Sequence, residues 1–156
     1  PAVRAIAKNR PDPDDPLDIL CKLGGLDIAA MAGAFLGGAA YGVPSTSYVP
    51  VDSANLRLTL ATASGRVLIG LTATLTGNAT LYAGFRVNID NGARYEPWGD
   101  SVQVLVNPTL APLPPLLVVG LSAGAHTFTL EAKVAANNVT IHRTPDKPLR
   151  FWVVEV

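Results

Sequence analysis

The segment "GLSAGAHTFTLEAKV", residues 120–134, decides the fold class of this chain. A glycine-containing turn leads into a stretch in which apolar and polar residues alternate. Successive side chains of a β-strand point to opposite faces of a sheet, so this period predicts a strand with one buried face. The side chains predicted to face inward are His126, Phe128, Leu130, Ala132 and Val134.

The same two-residue period recurs through the rest of residues 45–156. It is clearest in "ANLRLTLATA", "RVLIGLTATL" and "TLYAGFRVNID", and further candidate strands are "SVQVLVN", "PLLVVGL", "NVTIHR" and "LRFWVVEV". Asn91-Gly92 favours a tight hairpin because both residues tolerate positive φ. Residues 107–116 hold four prolines and are predicted to be a long loop that crosses between sheets. This pattern predicts an all-β fold, an antiparallel jelly-roll β-sandwich of about eight strands over residues 45–156.

Residues 1–44 differ in composition and predict an extended, partly helical N-terminal arm. Prolines at positions 1, 11, 13 and 16 disfavour a regular core there. "DDPLDILCKLGG" reads as a short helix that is capped by Asp15 and ended by Gly24-Gly25. The Ala/Gly-rich residues 26–43 are expected to be a partly helical segment that docks on the body or on a neighbouring subunit. The side chains expected to dock are Leu17, Leu20, Met31, Phe35 and Leu36.

A membrane span is the alternative for this Ala/Gly-rich segment. The uncharged run covers only residues 28–43, whereas a helix needs about 20 apolar residues to cross a bilayer. We therefore expect no membrane partner.

The overall composition favours assembly with other subunits. Hydrophobic residues make up 49% of the chain and charged residues 15%, with 12 basic and 12 acidic side chains. A neutral, lightly charged surface argues against nucleic acid as a partner. A small domain that is this apolar is expected to bury part of its surface against other subunits. No signal peptide is evident, and a first residue Pro suggests a removed methionine and synthesis in a cytoplasm.

Few residues suggest chemistry, and we expect neither catalysis nor a cofactor. Cys21 stands alone, which excludes an internal disulfide and suggests a buried thiol. On adjacent strands His126 and His142 could approach each other and form a metal site together with a carboxylate, but a core histidine bonded to backbone is the simpler interpretation of His126. No Gly-x-Ser-x-Gly elbow or phosphate-binding loop is present. We predict no metal site.

Two stretches suggest interaction surfaces. "ARYEPWGD", residues 93–100, is interpreted as a loop whose Arg94, Tyr95 and Trp98 would contact a partner or a glycan; alternatively, Trp98 caps the sandwich core. The last strand carries apolar residues on both faces, which predicts burial on both sides. One side would be the core and the other a subunit interface formed by Phe151, Trp152 and Val154.

Residues 55–156 resemble the C-terminal jelly-roll domains of bacteriophage virion proteins, which are related in form to trimeric tumour-necrosis-factor-like sandwiches. The resemblance lies in a Leu-x-x-Gly-x-His-x-Phe-x-Leu strand at residues 121–130, a polar hairpin at Asn137-Asn138 and a final strand ending at Val156. We find no resemblance for the first 44 residues. The resemblance implies a non-enzymatic, homotrimeric virion protein, and we expect a capsid decoration protein whose arm docks on the major capsid protein or another virion protein. The alternative is a tail-fibre or baseplate module that recognises a cell-surface glycan.

Overall fold

The computed structural model describes residues 30–135, 138–144, 146–147 and 149–156, and within them the chain is an antiparallel β-sandwich. The elements are β1 (Met31–Leu36), β2 (Tyr41–Val43), β3 (Val49–Pro50), β4 (Arg57–Thr62), β5 (Val67–Gly77), β6 (Leu81–Ile89), a 3-10 turn (Asp90–Gly92), β7 (Arg94–Val104), β8 (Thr109–Pro112), β9 (Leu116–Val118), β10 (Gly124–Val134), β11 (Val139–His142) and β12 (Leu149–Glu155). The all-β sandwich is therefore confirmed, with twelve strands among the described residues where the sequence suggested about eight.

The seven-stranded sheet is built around the long strand β5. On one side, β5 pairs with β12 along Val67–Thr72 and with β11 along Thr74–Gly77. β1 continues the sheet beyond β12, and β2 continues it beyond β11. On the other side of β5, the short strands β8 and β9 form the opposite edge.

The five-stranded sheet is built in the same way around β10, which contains the alternating residues 126–134. β10 pairs with β4 and β3 on one side and with β6 on the other. β7 pairs with β6 and forms the far edge, with register shifts at Phe85 that mark a bulge. The alternation of β10 therefore placed its buried face correctly.

The core lies between the two sheets. The largest fully buried side chains include Phe85, Phe128 and Leu130 from the five-stranded sheet and Phe151 and Ile69 from the seven-stranded sheet. These side chains occupy the inward positions of alternating strands, as the two-residue period requires.

The β6–β7 turn has the backbone conformation that Asn91-Gly92 predicts. Asp90, Asn91 and Gly92 have φ values of 53°, 56° and 100°. Asn, Asp and Gly adopt this left-handed region more readily than other residues do. The turn reverses the chain within three residues and brings β7 alongside β6.

The assignment of residues 31–43 to a partly helical arm is wrong. Met31–Leu36 and Tyr41–Val43 are strands that pair with β12 and β11. Ala32, Ala34 and Leu36 pack against the core, so the boundary that we placed after residue 44 divides elements of one sheet. The predicted helix at residues 14–25, with Leu17, Leu20 and Cys21, lies outside the described residues.

The proline-rich stretch 107–116 crosses between sheets as predicted, but it is not a plain loop. It leaves β7 of the five-stranded sheet and supplies β8 and the start of β9 to the other sheet. Both are edge strands, where a proline without a backbone N–H is tolerated. In the part of the chain that is described, no helix is long and apolar enough to span a membrane.

Candidate interaction surfaces

Exposed aliphatic side chains line the β8–β9 edge of the seven-stranded sheet. They are 38–59% exposed and comprise Leu105, Val106, Leu110, Leu117 and Val119. We call this set the aliphatic edge. Isolated exposed aliphatic residues are common on proteins, but five within fifteen residues along one sheet edge are a concentration that suggests an interaction surface.

The aliphatic edge runs along the whole of β5. Leu110 is opposite Thr74 and Leu117 opposite Leu68, six residues apart on β5, which corresponds to about 20 Å. At one end the carbonyl oxygen of Leu105 accepts a hydrogen bond from Gly77 N at 2.8 Å. At the other end Val119 follows directly on the pair Val118–Val67. This length suits a protein–protein contact better than a small-molecule pocket.

The predicted interface at Phe151, Trp152 and Val154 is not a free surface. Phe151 is fully buried in the core between the sheets. Trp152 and Val154 point to the outer face, as the two-faced apolar pattern implied, but they are buried within one chain in a cluster with Met31 and Leu68. The indole of Trp152 lies over Gly70, where an added Cβ would fall 1.9 Å from the ring atoms Cε2 and Cζ2.

The expected docking residues of the arm lie in different environments. Leu36 packs against the core and Met31 against the Trp152 cluster, whereas Phe35 is exposed on the outer face of β1. Only Phe35 of these three therefore offers apolar surface to a partner.

A second surface covers the outer face of the five-stranded sheet. It comprises Tyr48, Tyr82, Arg86, Tyr95, Glu131 and Lys133, and we call it the tyrosine–arginine face. Tyr82 and Tyr95 are about half exposed, whereas Glu131 is 4% exposed. The face is thus an aromatic and cationic surface with its carboxylate beneath.

Arg86 is the centre of the tyrosine–arginine face. Its guanidinium carbon lies 3.9 Å from the ring centroid of Tyr95 and 4.4 Å from that of Tyr48, so the planar group packs over both rings. Its Nε donates to Glu131 Oε2 at 2.6 Å, and Asn88 donates to the other carboxylate oxygen at 2.8 Å. Lys133 Nζ lies 4.5 Å from the Tyr48 ring centroid. These contacts fix the direction of the guanidinium.

The three residues predicted to form one contact loop point to three different places. Residues 94–100 lie in the edge strand β7, not in a loop. Tyr95 belongs to the tyrosine–arginine face, and Arg94 reaches back to Glu96 and to the carbonyl oxygen of Val119. Trp98 is 9% exposed, which makes the prediction of an exposed contact wrong for this residue.

Trp98 instead occupies the capping position that was the alternative. Its indole N–H donates to the carbonyl oxygen of Pro114 at 2.7 Å, and its ring centroid lies 6.4 Å from that of Phe151. It therefore ties the crossing segment to the core.

Five of the six members of the tyrosine–arginine face, all except Tyr95, were not recognised from the sequence. The alternation placed Arg86 and Lys133 on polar faces, but it does not say which strands are neighbours. Tyr48 precedes the two-residue strand β3, which is too short for periodicity to detect. The cluster exists because β3, β10, β6 and β7 lie side by side.

Glu155 is a buried charge with a structural role. Its Oε1 accepts hydrogen bonds from Thr62 Oγ1 at 2.6 Å, Ala63 N at 2.5 Å and Ser64 N at 2.6 Å. The hydroxyl of Thr62 and the backbone N–H of Ser64 lower the pKa of Glu155 to about 2, against the opposing effect of burial. The carboxylate joins β12 of one sheet to the end of β4 in the other.

His126 holds the β6–β7 turn against β10. Its Nδ1 lies 2.7 Å from Asp90 Oδ2, and its Nε2 donates to the carbonyl oxygen of Ser122 at 2.8 Å. The Asp90 carboxylate and then the Ser122 carbonyl raise the pKa of His126 because both accept hydrogen bonds from the charged ring. Asp90 also accepts from Thr127 N at 2.9 Å.

The histidines lie on different sheets and do not approach each other. His126 belongs to β10, whereas His142 of β11 contacts Thr76 Oγ1 at 2.6 Å. Among the described residues, no group of three or more His, Cys, Asp or Glu side chains is arranged to hold a metal ion.

Comparison with known proteins finds a relationship in the N-terminal part. A phosphoribosyltransferase family model matches residues 2–47, under a third of the chain and the part in which we had found no resemblance. Nicotinate-nucleotide–dimethylbenzimidazole phosphoribosyltransferase of Ruminiclostridium cellulolyticum is 60% identical over 40 residues, which are 26% of this chain and 11% of that enzyme. The same enzyme of Syntrophobacter fumaroxidans is 61% identical over 41 residues, or 26% of this chain and 12% of the enzyme. The chain therefore spans about a tenth of these curated relatives.

Among solved structures, the chain is similar to VP2 of infectious bursal disease virus in its subviral particle. The TM-score is 0.46 at 9% identity, and the match covers 81% of this chain and 37% of that one.

Proposed function

We propose that this chain is a non-enzymatic structural protein of a bacteriophage virion, and that its β-sandwich assembles through the aliphatic edge. The observation that carries the proposal is the row of five exposed aliphatic side chains between Leu105 and Val119. Contact with a second protein would remove this apolar surface from water, which lowers the free energy of the assembly. The jelly-roll resemblance of residues 55–156 supports the virion assignment.

The aliphatic edge favours contact through side chains over extension of the sheet. Pro112, Pro114 and Pro115 lack backbone N–H groups, so a partner strand could not form a continuous ladder along this edge. Three copies around a threefold axis would bring the same edge of each chain together. A homotrimer that decorates the capsid and binds its major protein is the specific form that we propose.

The N-terminal similarity to phosphoribosyltransferases does not lead us to propose an enzymatic activity. The shared stretch is about a tenth of the length of the phosphoribosyltransferases. Its last part, residues 31–43, supplies β1 and β2 to the sandwich. These observations support a structural use of the segment in this chain.

The proposal is tested by charging the aliphatic edge. The double variant Leu110→Asp, Leu117→Asp should reduce the oligomer seen by sedimentation velocity to a single chain, since both side chains are exposed and their replacement leaves the core intact. Phe35→Asp is the matched control because it replaces an exposed apolar residue on the opposite side of the same sheet, and it should leave the oligomer unchanged. An oligomer that survives the double variant, or dissociates equally in the control, would contradict the proposal.

A host-recognition module of a tail fibre or baseplate is the second candidate. It is favoured by the tyrosine–arginine face, because exposed aromatic rings beside polar groups are a surface on which a sugar can stack.

A further inference from the structure

We infer that the tyrosine–arginine face binds an acidic polysaccharide, with Arg86 and Lys133 as its anion-binding residues. The inference concerns a surface on the sheet opposite the aliphatic edge. It is independent of the proposed assembly, and it names the ligand class for the surface on which the second candidate function rests.

Arg86 has unused hydrogen-bonding capacity. The guanidinium binds Glu131 through Nε, and among the described residues neither of its terminal amino groups has a hydrogen-bond partner. A guanidinium presents these groups as a rigid fork that matches the two oxygens of a carboxylate or sulfate. Because the guanidinium packs over the rings of Tyr48 and Tyr95 and its Nε binds Glu131, the fork is already oriented before a ligand arrives.

The tyrosine–arginine face presents positive charge to the solvent. Within the described residues of this face, two cations accompany one carboxylate, and the carboxylate is buried while Arg86 is about a quarter exposed. A ligand therefore meets positive charge at the surface. Lys133 reinforces it from the neighbouring strand, where it is opposite Gly84. This complementarity selects an anionic ligand over a neutral one.

The tyrosine–arginine face has the shape of an open strip. Tyr82 and Arg86 lie four residues apart on β6, about 13 Å along the strand, with Gly84 between them. A Cβ at position 84 would fall 2.8 Å from Lys133 Cε and 2.9 Å from the Tyr48 hydroxyl, so the missing side chain lets these groups lie low over the sheet. The result is an open strip with an exposed ring at each end, Tyr82 and Tyr95. An open strip suits an extended polymer rather than a single sugar.

These three features define the ligand class. Aromatic rings stack on the apolar faces of sugar rings, while an oriented guanidinium and an ammonium group bind carboxylates. A polymer of uronic acids carries both features in every unit.

The test is affinity electrophoresis of the 156-residue chain in native gels that contain polygalacturonate, with dextran as the neutral polymer. Polygalacturonate should retard the chain and dextran should not. Arg86→Lys keeps the charge but loses the fork, and it should weaken binding about tenfold, as should Lys133→Gln. Tyr95→Ala should weaken binding through the lost ring.

Arg66→Gln is the matched control. It removes one positive charge from an exposed side chain in the β4–β5 turn, away from the face, and should change binding by less than about twofold. The inference is overturned if polygalacturonate gives no retardation, if dextran retards the chain equally, or if Arg66→Gln weakens binding as much as Lys133→Gln. The last outcome would identify general electrostatic attraction.

Discussion

Glu155 shows how one buried charge can fasten the two layers of the sandwich. Replacing it with Gln keeps the size of the side chain but removes the charge that receives three hydrogen bonds. We expect Glu155→Gln to lower the free energy of unfolding by about 1.5–3 kcal/mol, the range for hydrogen bonds to charged groups. Glu96→Gln, at a partly exposed pair with Arg94, should cost less than about 1 kcal/mol. Urea unfolding at neutral pH measures both, and equal losses would contradict the assignment.

The pH dependence of Glu155 follows from its lowered pKa. A carboxyl group with a pKa of about 2 when folded and 4.5 when unfolded stabilises the fold fully above pH 4.5. This contribution should be lost as the pH falls from 4.5 towards 2. The difference in free energy of unfolding between the wild type and Glu155→Gln should shrink over that interval. A difference that stays constant would indicate that the carboxylate is not responsible.

His126 should give the opposite pH dependence. Its pKa is raised above the value of 6.5 for an unfolded histidine, so the contact with Asp90 stabilises the fold fully below pH 6.5 and is lost as the pH rises through the folded value. We expect His126→Gln to cost about 1 kcal/mol at pH 5.5 and less at alkaline pH. Thermal unfolding between pH 5.5 and 9 tests this, and a variant whose cost does not change with pH would refute it.

Among single elements, the Trp152 cluster depends on a glycine in the neighbouring strand. Gly70→Ala would place a Cβ within the indole of Trp152, which must then move. We expect a loss of about 1–3 kcal/mol, the range for overpacked cores. Gly42→Ala is the control, since a Cβ in β2 meets nothing within 4 Å. Chemical denaturation of both variants decides the point, and a Gly70→Ala protein as stable as the control would show that the ring lies elsewhere.

The strands β1 and β2 lead to a prediction for truncation. They form the edge of the seven-stranded sheet opposite β8 and β9, and β1 covers six residues of β12. Removing residues 1–44 therefore uncovers β12 and β11 and deletes side chains that pack on the core. We expect the shortened chain to lose its cooperative thermal transition. A shortened chain that unfolds cooperatively near the wild-type temperature would show that residues 45–156 are an independent body.

The sequence predicted those strands whose side chains alternate strongly. β4, β5, β6 and β10 were recognised because Leu, Val, Ile and Phe occur at every second position. β1 was missed because Ala and Gly have low strand propensity, and its place beside β12 comes from pairing across more than a hundred residues. In β7, Pro97 and the bulge at Phe85 obscured the period that buries Trp98. The surfaces could be predicted only in part, since Tyr95 and Tyr48 both reach Arg86 through strand order alone.

At the scale of the whole molecule, β1 and β2 share one sheet with strands from the rest of the chain. Residues 2–47 carry the family match, and strands within that range complete the edge next to β12 and β11. The opposite edge carries the exposed aliphatic side chains. We propose that the two edges of this sheet have different roles. The β1–β2 edge completes the fold, and the β8–β9 edge contacts neighbouring subunits.

The central claim, assembly through the aliphatic edge, is tested most directly by the mass of the 156-residue chain in solution. Multi-angle light scattering at micromolar concentration should give the mass of three 16.3-kDa chains. A stable mass of one chain across that concentration range would contradict the account.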